Sequence, residues 1–300
     1  MKTLNHPKAL WPGIKEIFGA SYEEYPEEYP MIFDPVTSDM KYEEYFEVTG
    51  FPLAPKKTEG DSVSYASEAQ GYDHRVTNVT YALGYIVTME EMQDNLYSKV
   101  SGQRASRLAW SMRQTKENVG ANILNRAFNS SYTFGDGKEL LATDHPTEDG
   151  TQSNELSTPA DLSEASLEDL TIQISKATNT TGLRIQLRPQ TLIVPPDEIY
   201  NATRILESTL QNDTANNAIN ALRAVGIIPE ITVNHYLTDT DAFFIKTNIP
   251  AGEGLIYQER MPIEFEQDNS FNDKNARATA VERYTFSAVD WRAIYGSPGA

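Results

Sequence analysis

The stretch Thr88–Phe128, TMEEMQDNLYSKVSGQRASRLAWSMRQTKENVGANILNRAF, decides how the rest of the chain is read. It holds no proline, and its only glycines are Gly102 and Gly120. Thr88 and Glu91 stand at capping-box spacing, each side chain able to satisfy the other's backbone N–H. One helix over the whole stretch would be roughly 60 Å long. That exceeds the usual globular length of about 8–20 residues. The stretch lacks the heptads of a coiled coil and is too polar to span a membrane. At helical periodicity Met92, Leu96 and Val100 fall on one side. Leu108, Met112, Val119 and Ile123 fall nearly opposite. The switch near Gly102 predicts two packing partners, either both in one domain or one of them in a neighbouring subunit.

Outward from this helix, Phe46–Val87 reads as extended. SVSYASEAQGYDHRVTNVTYALGYIVT (62–88) alternates β-branched and aromatic residues with polar ones, with Gln70-Gly71 as turn candidate. A two-stranded hairpin is marginal alone. Tyr65, Val76 and Tyr81 are therefore expected to bury against another subunit or a shared sheet. Before it, residues 1 to about 45 read as an arm of irregular structure and short helical pieces. After the long helix comes a loop, Asn129–Pro159, and then a compact α/β pattern. Leu167, Leu170 and Ile174 mark a helix from Ser166 to about Thr178, and Gln190–Val194 is a buried strand stopped by Pro195-Pro196. Asp197 to about Leu210 and Asn216–Val225 read as helices, and Ile227–Val233 and Ala242–Lys246 as strands. Leu255–Trp291 is extended again, split by the turn-rich DNSFNDKNA (268–276) into a long returning hairpin.

Composition bounds the function. Three hundred residues allow one large domain or two smaller ones, and the hydrophobic share of 39% is low. With no cysteine there is no disulfide and no thiolate chemistry. The N-terminal MKTLNHPKALWPG has no apolar core of a signal peptide, and no run approaches a membrane span. A net charge of −18 argues against nucleic-acid binding as the main task. The charge is uneven: from Glu16 to Glu47 every charged residue except Lys41 is acidic. By contrast, Lys99, Arg104, Arg107, Arg113 and Lys116 sit in the long helix with no acid between Asp94 and Glu117. The expectation is that acids of the arm, Glu24 and Glu28 among them, dock near Arg104, Arg107 or Arg113 of the same or a neighbouring subunit. Assembly would then weaken as salt rises.

Enzyme chemistry finds little support. Asp144-His145 is a possible metal or relay pair, but it reads better as a loop-capping Asp beside a His fixed by Pro146. His6, His74 and His235 lie in separate segments without ligand spacing. No GxSxG, HExxH, P-loop or dinucleotide fingerprint occurs. No catalytic, metal or cofactor-binding residue is assigned and no cofactor is implied.

Three stretches carry a family resemblance: LLATDHPT (140–147), LRPQTLIVPPDEIYNATRILES (187–208) and RATAVERYTFSAVDWRAIYGSPGA (277–300). Behind a long helix, in this order, they resemble the major capsid (head) proteins of tailed phages, the Mu-like major head subunits above all. The resemblance implies an α+β chain with the Hong Kong 97 shell fold. Its parts would be an N-terminal arm (1–45), an E-loop (46–87) and a spine helix (88–128) of the peripheral domain. An axial domain (129–248) and return strands of the peripheral domain (249–300) would follow. It implies a homo-oligomer of hexamers and pentamers in the virion capsid, assembled in the host cytoplasm. Such a shell encloses double-stranded DNA without sequence-specific binding, works with a portal, and contacts no membrane. Some members carry a removable scaffolding segment before the E-loop; with barely 45 residues there, scaffolding or decoration would fall to separate proteins. Some members crosslink through a loop lysine. Lys56 and Lys57 are placed for that, although a solvated pair is the plainer reading and no matching asparagine is identified. Two alternatives stand beside this one: an encapsulin-like compartment of the same fold, and a soluble acidic α+β enzyme.

Overall fold

The computed structural model describes residues 7–93, 97–211, 218–270 and 275–300, without the side chains of 7–12 and 92–100. Helices α1 (Pro7–Glu24) and α2 (Tyr29–Ile32) precede strands β1 (Asp34–Thr37), β2 (Tyr42–Val48), β3 (Gln70–Thr77) and β4 (Val79–Val87). Helices α3 (Met89–Gln93) and α4 (Tyr97–Asn125) come next, then short strands β5 (His145–Thr147) and β6 (Gly150–Gln152). The middle of the chain forms α5 (Glu164–Lys176), β7 (Pro189–Val194), α6 (Ile199–Glu207), α7 (Ala221–Val225), β8 (Glu230–Val233) and β9 (Phe243–Thr247). Strands β10 (Leu255–Asn269), β11 (Ala276–Ala288) and β12 (Ile294–Ser297) complete it.

The long helix is shorter than its sequence suggests. The capping box forms: Thr88 Oγ1 accepts the Glu91 N–H (3.3 Å), and the Glu91 carboxylate accepts the Thr88 N–H (3.2 Å). It starts only α3, however. Arg104 grips the Glu91 carboxylate through two nitrogens (2.8 and 3.1 Å) and also donates to the Ile86 carbonyl (2.6 Å). In one straight helix residues 13 apart would stand about 20 Å apart along the axis. Arginine and glutamate side chains do not bridge that gap, so α3 and α4 are not coaxial. The spine proper is α4, whose 29 residues make it roughly 44 Å long.

Two cores lie along α4. Leu108 and Met112 pack with Ile14, Phe18 and Tyr22 of α1 and with Phe265, Ala276, Ala278 and Ala280 of the sheet. Val119, Ile123 and Leu124 join Tyr29, Phe33, Tyr284, Phe286 and Trp291. The change of partner therefore falls between Met112 and Val119, within the side that the periodicity treats as one. Leu96 and the side chains of Met92 and Val100 lie outside the described residues. Gly120 lets the sheet approach: a Cβ there would meet the Phe286 ring at 3.2 Å.

The peripheral sheet has the order β1-β10-β11-β4, with β1 parallel to β10 and the other pairs antiparallel. The returning hairpin forms as expected, from Leu255↔Ala288 to Asn269↔Ala276. Along β11 alternate residues from Ala276 to Ala288 are buried, the period of a strand with one face on a core. A second sheet, β12-β9-β7-β8, is covered by α5 and α6 around Leu167, Leu170, Ile174, Leu192, Ala202 and Ile245.

Three expectations need correction. The arm is not mainly irregular, because α1 runs 18 residues. Pro12-Gly13 is a local breaker, but Ile14, Phe18 and Tyr22 recur every four residues and bury against α4. The hairpin is not continuous from Phe46 to Val87. Strands β2 and β3 pair from Tyr42↔Thr77 to Val48↔Gln70, so Gln70 begins a strand instead of making a turn, and β4 belongs to the peripheral sheet. Finally, β12 pairs with β9, so the C-terminal strand serves the axial sheet rather than the peripheral body.

Candidate assembly surfaces

The surfaces that matter to a multi-subunit structure are those the subunit does not cover itself. The arm is largely accounted for within the chain. Arg113, 4% exposed, lies over the Tyr22 ring, pairs with Glu27 and donates to the Tyr22 carbonyl (3.1 Å). Glu117 accepts the N–H groups of Glu28 and Tyr29 (3.1 Å each). Its burial lifts the carboxyl from 4.5 to about 7, with those two N–H groups pulling the other way. Lys116 pairs with the buried Glu282 (2.8 Å), to which the Tyr22 hydroxyl also donates (3.3 Å). Burial raises the Glu282 carboxyl and Lys116 opposes it. Glu28 is half-buried and accepts from His235 Nδ1 (2.7 Å). Arg104 is engaged with Glu91, whereas Arg107 and Glu24 are exposed.

The β2–β3 hairpin is anchored at its base and uncovered at its tip. Val76 is buried in its own subunit, and Tyr81 stacks on Tyr284 at 4.7 Å. Tyr72 meets the Phe134 ring edge-on at 5.3 Å, and His74 Nε2 contacts Ser287 Oγ (2.8 Å). Residues 49–69 between the strands hold Phe51, Leu53, Val63 and Tyr65, all exposed, Tyr65 at 94%. Lys56 and Lys57 lie in the same exposed loop.

Sites that resemble catalysis resolve into structure. His145 is fully buried and stacks on Trp291 with ring centroids 4.2 Å apart. Its Nδ1 meets Asp136 (2.6 Å) and its Nε2 meets Asn154 Oδ1 (3.0 Å). That oxygen also accepts the Ala142 N–H (2.9 Å), while the Asn154 amide donates to the carbonyls of Leu140, Trp291 and Ile294. Asp144, its neighbour in sequence, does not form a relay with it and pairs with Lys138. Asp136 and Asn154 carry no motif, and only the fold brings them to His145. A cavity of about 480 Å³ between α4 and β11 is lined by His74, Ile123, Arg126, Phe134 and Phe286 among others. There Ser287 Oγ lies within hydrogen-bond reach of both His74 Nε2 (2.8 Å) and the Ala288 carbonyl (3.3 Å). Among the described residues no group of three or more His, Cys, Asp or Glu is placed to hold a metal, and no helix is long and apolar enough to cross a membrane.

A spine helix on a four-stranded sheet, a projecting hairpin before it and an inserted α/β unit after it make up the Hong Kong 97 shell fold. Solved structures share it. The capsid of Myoviridae phage XM1 is 11% identical, with a TM-score of 0.54 over 92% of this chain and 93% of its own. A Mycobacterium phage Patience structure is 11% identical, with a TM-score of 0.57 over 97% and 87%. An encapsulin complex from Synechococcus elongatus is 9% identical, with a TM-score of 0.53 over 92% and 89%. No curated protein matches the sequence. The family model described as phage capsid protein matches residues 72–297, and the chain belongs to that family. By that membership it is a structural protein, a phage capsid protein.

Proposed function

We propose that many copies of this chain close into an icosahedral head of hexamers and pentamers around double-stranded DNA, with a portal at one vertex and assembly in the host cytoplasm. In this reading α1 and its flanks act as the arm, the β2–β3 hairpin as the E-loop, α4 with the peripheral sheet as the shell wall, and the second sheet as the axial unit. The observation that carries it is the loop 49–69, which leaves four large apolar side chains uncovered by its own subunit. Exposed apolar surface of this kind marks an interaction site, and a second copy is the partner a shell supplies. Tyr65 is the leading contact residue, and exposed Arg107 and Glu24 are further, charged candidates elsewhere on the subunit. Lys56 and Lys57 act as solvated charges in that exposed loop. The net charge of −18 suits a container, since a like-charged wall does not grip phosphate and the packaged DNA can slide.

Imaging purified particles by negative stain, with a nuclease-protection assay on their contents, tests this. Closed shells holding nuclease-protected DNA are expected. Shells filled with protein and free of DNA would favour the compartment reading, which has the shared encapsulin fold behind it. A monomer at all concentrations would sink both. A covalent ladder on a denaturing gel, abolished by Lys56→Arg with Lys57→Arg, would overturn the solvated reading of the lysines.

A further inference from the structure

The far end of the hairpin is held to the body by a buried charged joint. Glu47 lies at an irregularity of the ladder, between the pairs Phe46↔Asp73 and Val48↔Gln70. Such irregularities re-aim side chains. Its Oε1 accepts from Thr180 Oγ1 (2.6 Å) and from Arg292 Nη1 (3.1 Å). Arg292 is 3% exposed and donates through Nε to the Thr178 carbonyl (3.1 Å). Its Nη1 also faces Asp290 (3.4 Å), and its guanidinium lies 4.3 Å from the Trp291 ring centre. Across the ladder Gly71 leaves the room this requires, since a Cβ there would stand 2.9 Å from the Glu47 carboxylate. Further out, a Cβ on Gly50 would stand 3.3 Å from the Asn179 side chain, so the backbone there also runs close to this turn. The hairpin's distal end therefore rests on the 178–180 turn that follows α5, and on Arg292 just before β12.

We propose that Glu47 and Arg292 are positioning residues: their clasp fixes the angle at which the hairpin leaves the body and makes that angle follow the axial unit. Nearer its base the hairpin meets the loop after α4, through Tyr72 and His74 on the Phe134 ring, and the peripheral sheet, through His74 on Ser287 and the Tyr45 hydroxyl on Gln258 (3.3 Å). Glu47 adds the tie to the 178–180 turn and to Arg292. The loop 49–69 is then presented in one orientation to a neighbouring copy. This last step rests on the reading of that loop as an interface.

The chain has no cysteine, so two introduced thiols can be spin-labelled without background. Gln70→Cys marks the hairpin's distal end, and Asn118→Cys marks the exposed side of α4. Pulsed electron resonance on the unassembled subunit reads the distance between them. A single narrow distribution is expected, broadened at least twofold by Glu47→Gln. Thr180→Val, which removes one hydroxyl and leaves the ion pair, should broaden it less. It decides the matter if Glu47→Gln fails to fold. Glu44→Gln, which breaks an exposed pair with Arg75 on the same hairpin, should change nothing. Distributions that superimpose on wild type in Glu47→Gln, or in Thr180→Val should that one alone fold, would overturn the clasp. Particle yield answers the separate question: broadening with normal particles would keep the clasp and remove the interface role of the loop.

Discussion

Glu117→Gln removes a titration that the fold has displaced. The carboxyl is 1% exposed, and burial lifts it from 4.5 to about 7. A folded-state value above the unfolded one means that the folded chain keeps a proton the unfolded chain has released. The resulting stability is complete below pH 4.5 and is lost as the pH climbs to about 7. Each pH unit of displacement corresponds to about 1.4 kcal/mol, so the loss across the window is about 3 kcal/mol. Burial also raises Glu155, Glu282 and Asp290, so the wild-type curve alone mixes several groups. The difference between wild type and variant isolates one of them. Urea unfolding of the unassembled subunit should show wild type losing about 3 kcal/mol relative to Glu117→Gln from the acid to the neutral end. Parallel pH curves for the two proteins would refute the reasoning.

Leu108→Asp should abolish soluble folded protein, because it buries an unpaired carboxylate against Phe18 and Phe265 at a cost of about 3 kcal/mol or more. Unchanged yield and circular dichroism would count against the packing of α1 on α4. Gly296→Ala should lower the melting temperature. Its Cβ would stand 2.8 Å from the Phe243 carbonyl and 3.0 Å from the Phe244 ring, an overpacking cost of about 1–3 kcal/mol. Phe51→Ser with Tyr65→Ser should leave subunit stability within about 0.5 kcal/mol, since both side chains are exposed. The assembled fraction in sedimentation should nevertheless fall, and a fraction equal to wild type would defeat the interface reading of the loop.

What the sequence made legible was local. Leu167, Leu170 and Ile174 sit at helical spacing, and all three are fully buried on α5. QTLIV became β7, and DNSFNDKNA separates β10 from β11, because apolar runs and turn residues act over a few neighbours. The misses are all tertiary. Propensity read Thr88–Phe128 as one rod, yet Arg104 reaches back to Glu91. The arm read as irregular with short helical pieces, yet burial on α4 holds α1 together over 18 residues. Gln70-Gly71 has turn chemistry, but the glycine serves Glu47 across the ladder. Asp136 and Asn154 around His145, like Arg292 beside Glu47, are joined by topology alone. No spacing in the sequence announces them.

The fate of the spine's cations changes what salt should do. The sequence suggested that acids of the arm dock near the helix arginines, in the same or a neighbouring subunit, and that assembly weakens with salt; the docking is met inside one subunit by Arg113 and Glu27. In the folded subunit Arg104 is committed to Glu91, Arg113 to Glu27 and Lys116 to Glu282. Of the three arginines, Arg107 alone is left exposed. In the proposed assembly, surfaces of a chain with a net charge of −18 then repel, and the apolar loop is the adhesive element. Raising ionic strength shortens the screening length from roughly 30 Å at 0.01 M to roughly 10 Å at 0.1 M. That weakens the repulsion and leaves apolar burial intact. The assembled fraction should therefore rise with salt over this range. Replacing all three arginines would be uninformative, because Arg113→Gln strands Glu27 and loosens the arm. Arg107→Gln by itself separates the cases. A fraction that falls with salt in wild type, and no longer does so in Arg107→Gln, would show that ion pairs between copies outweigh the repulsion.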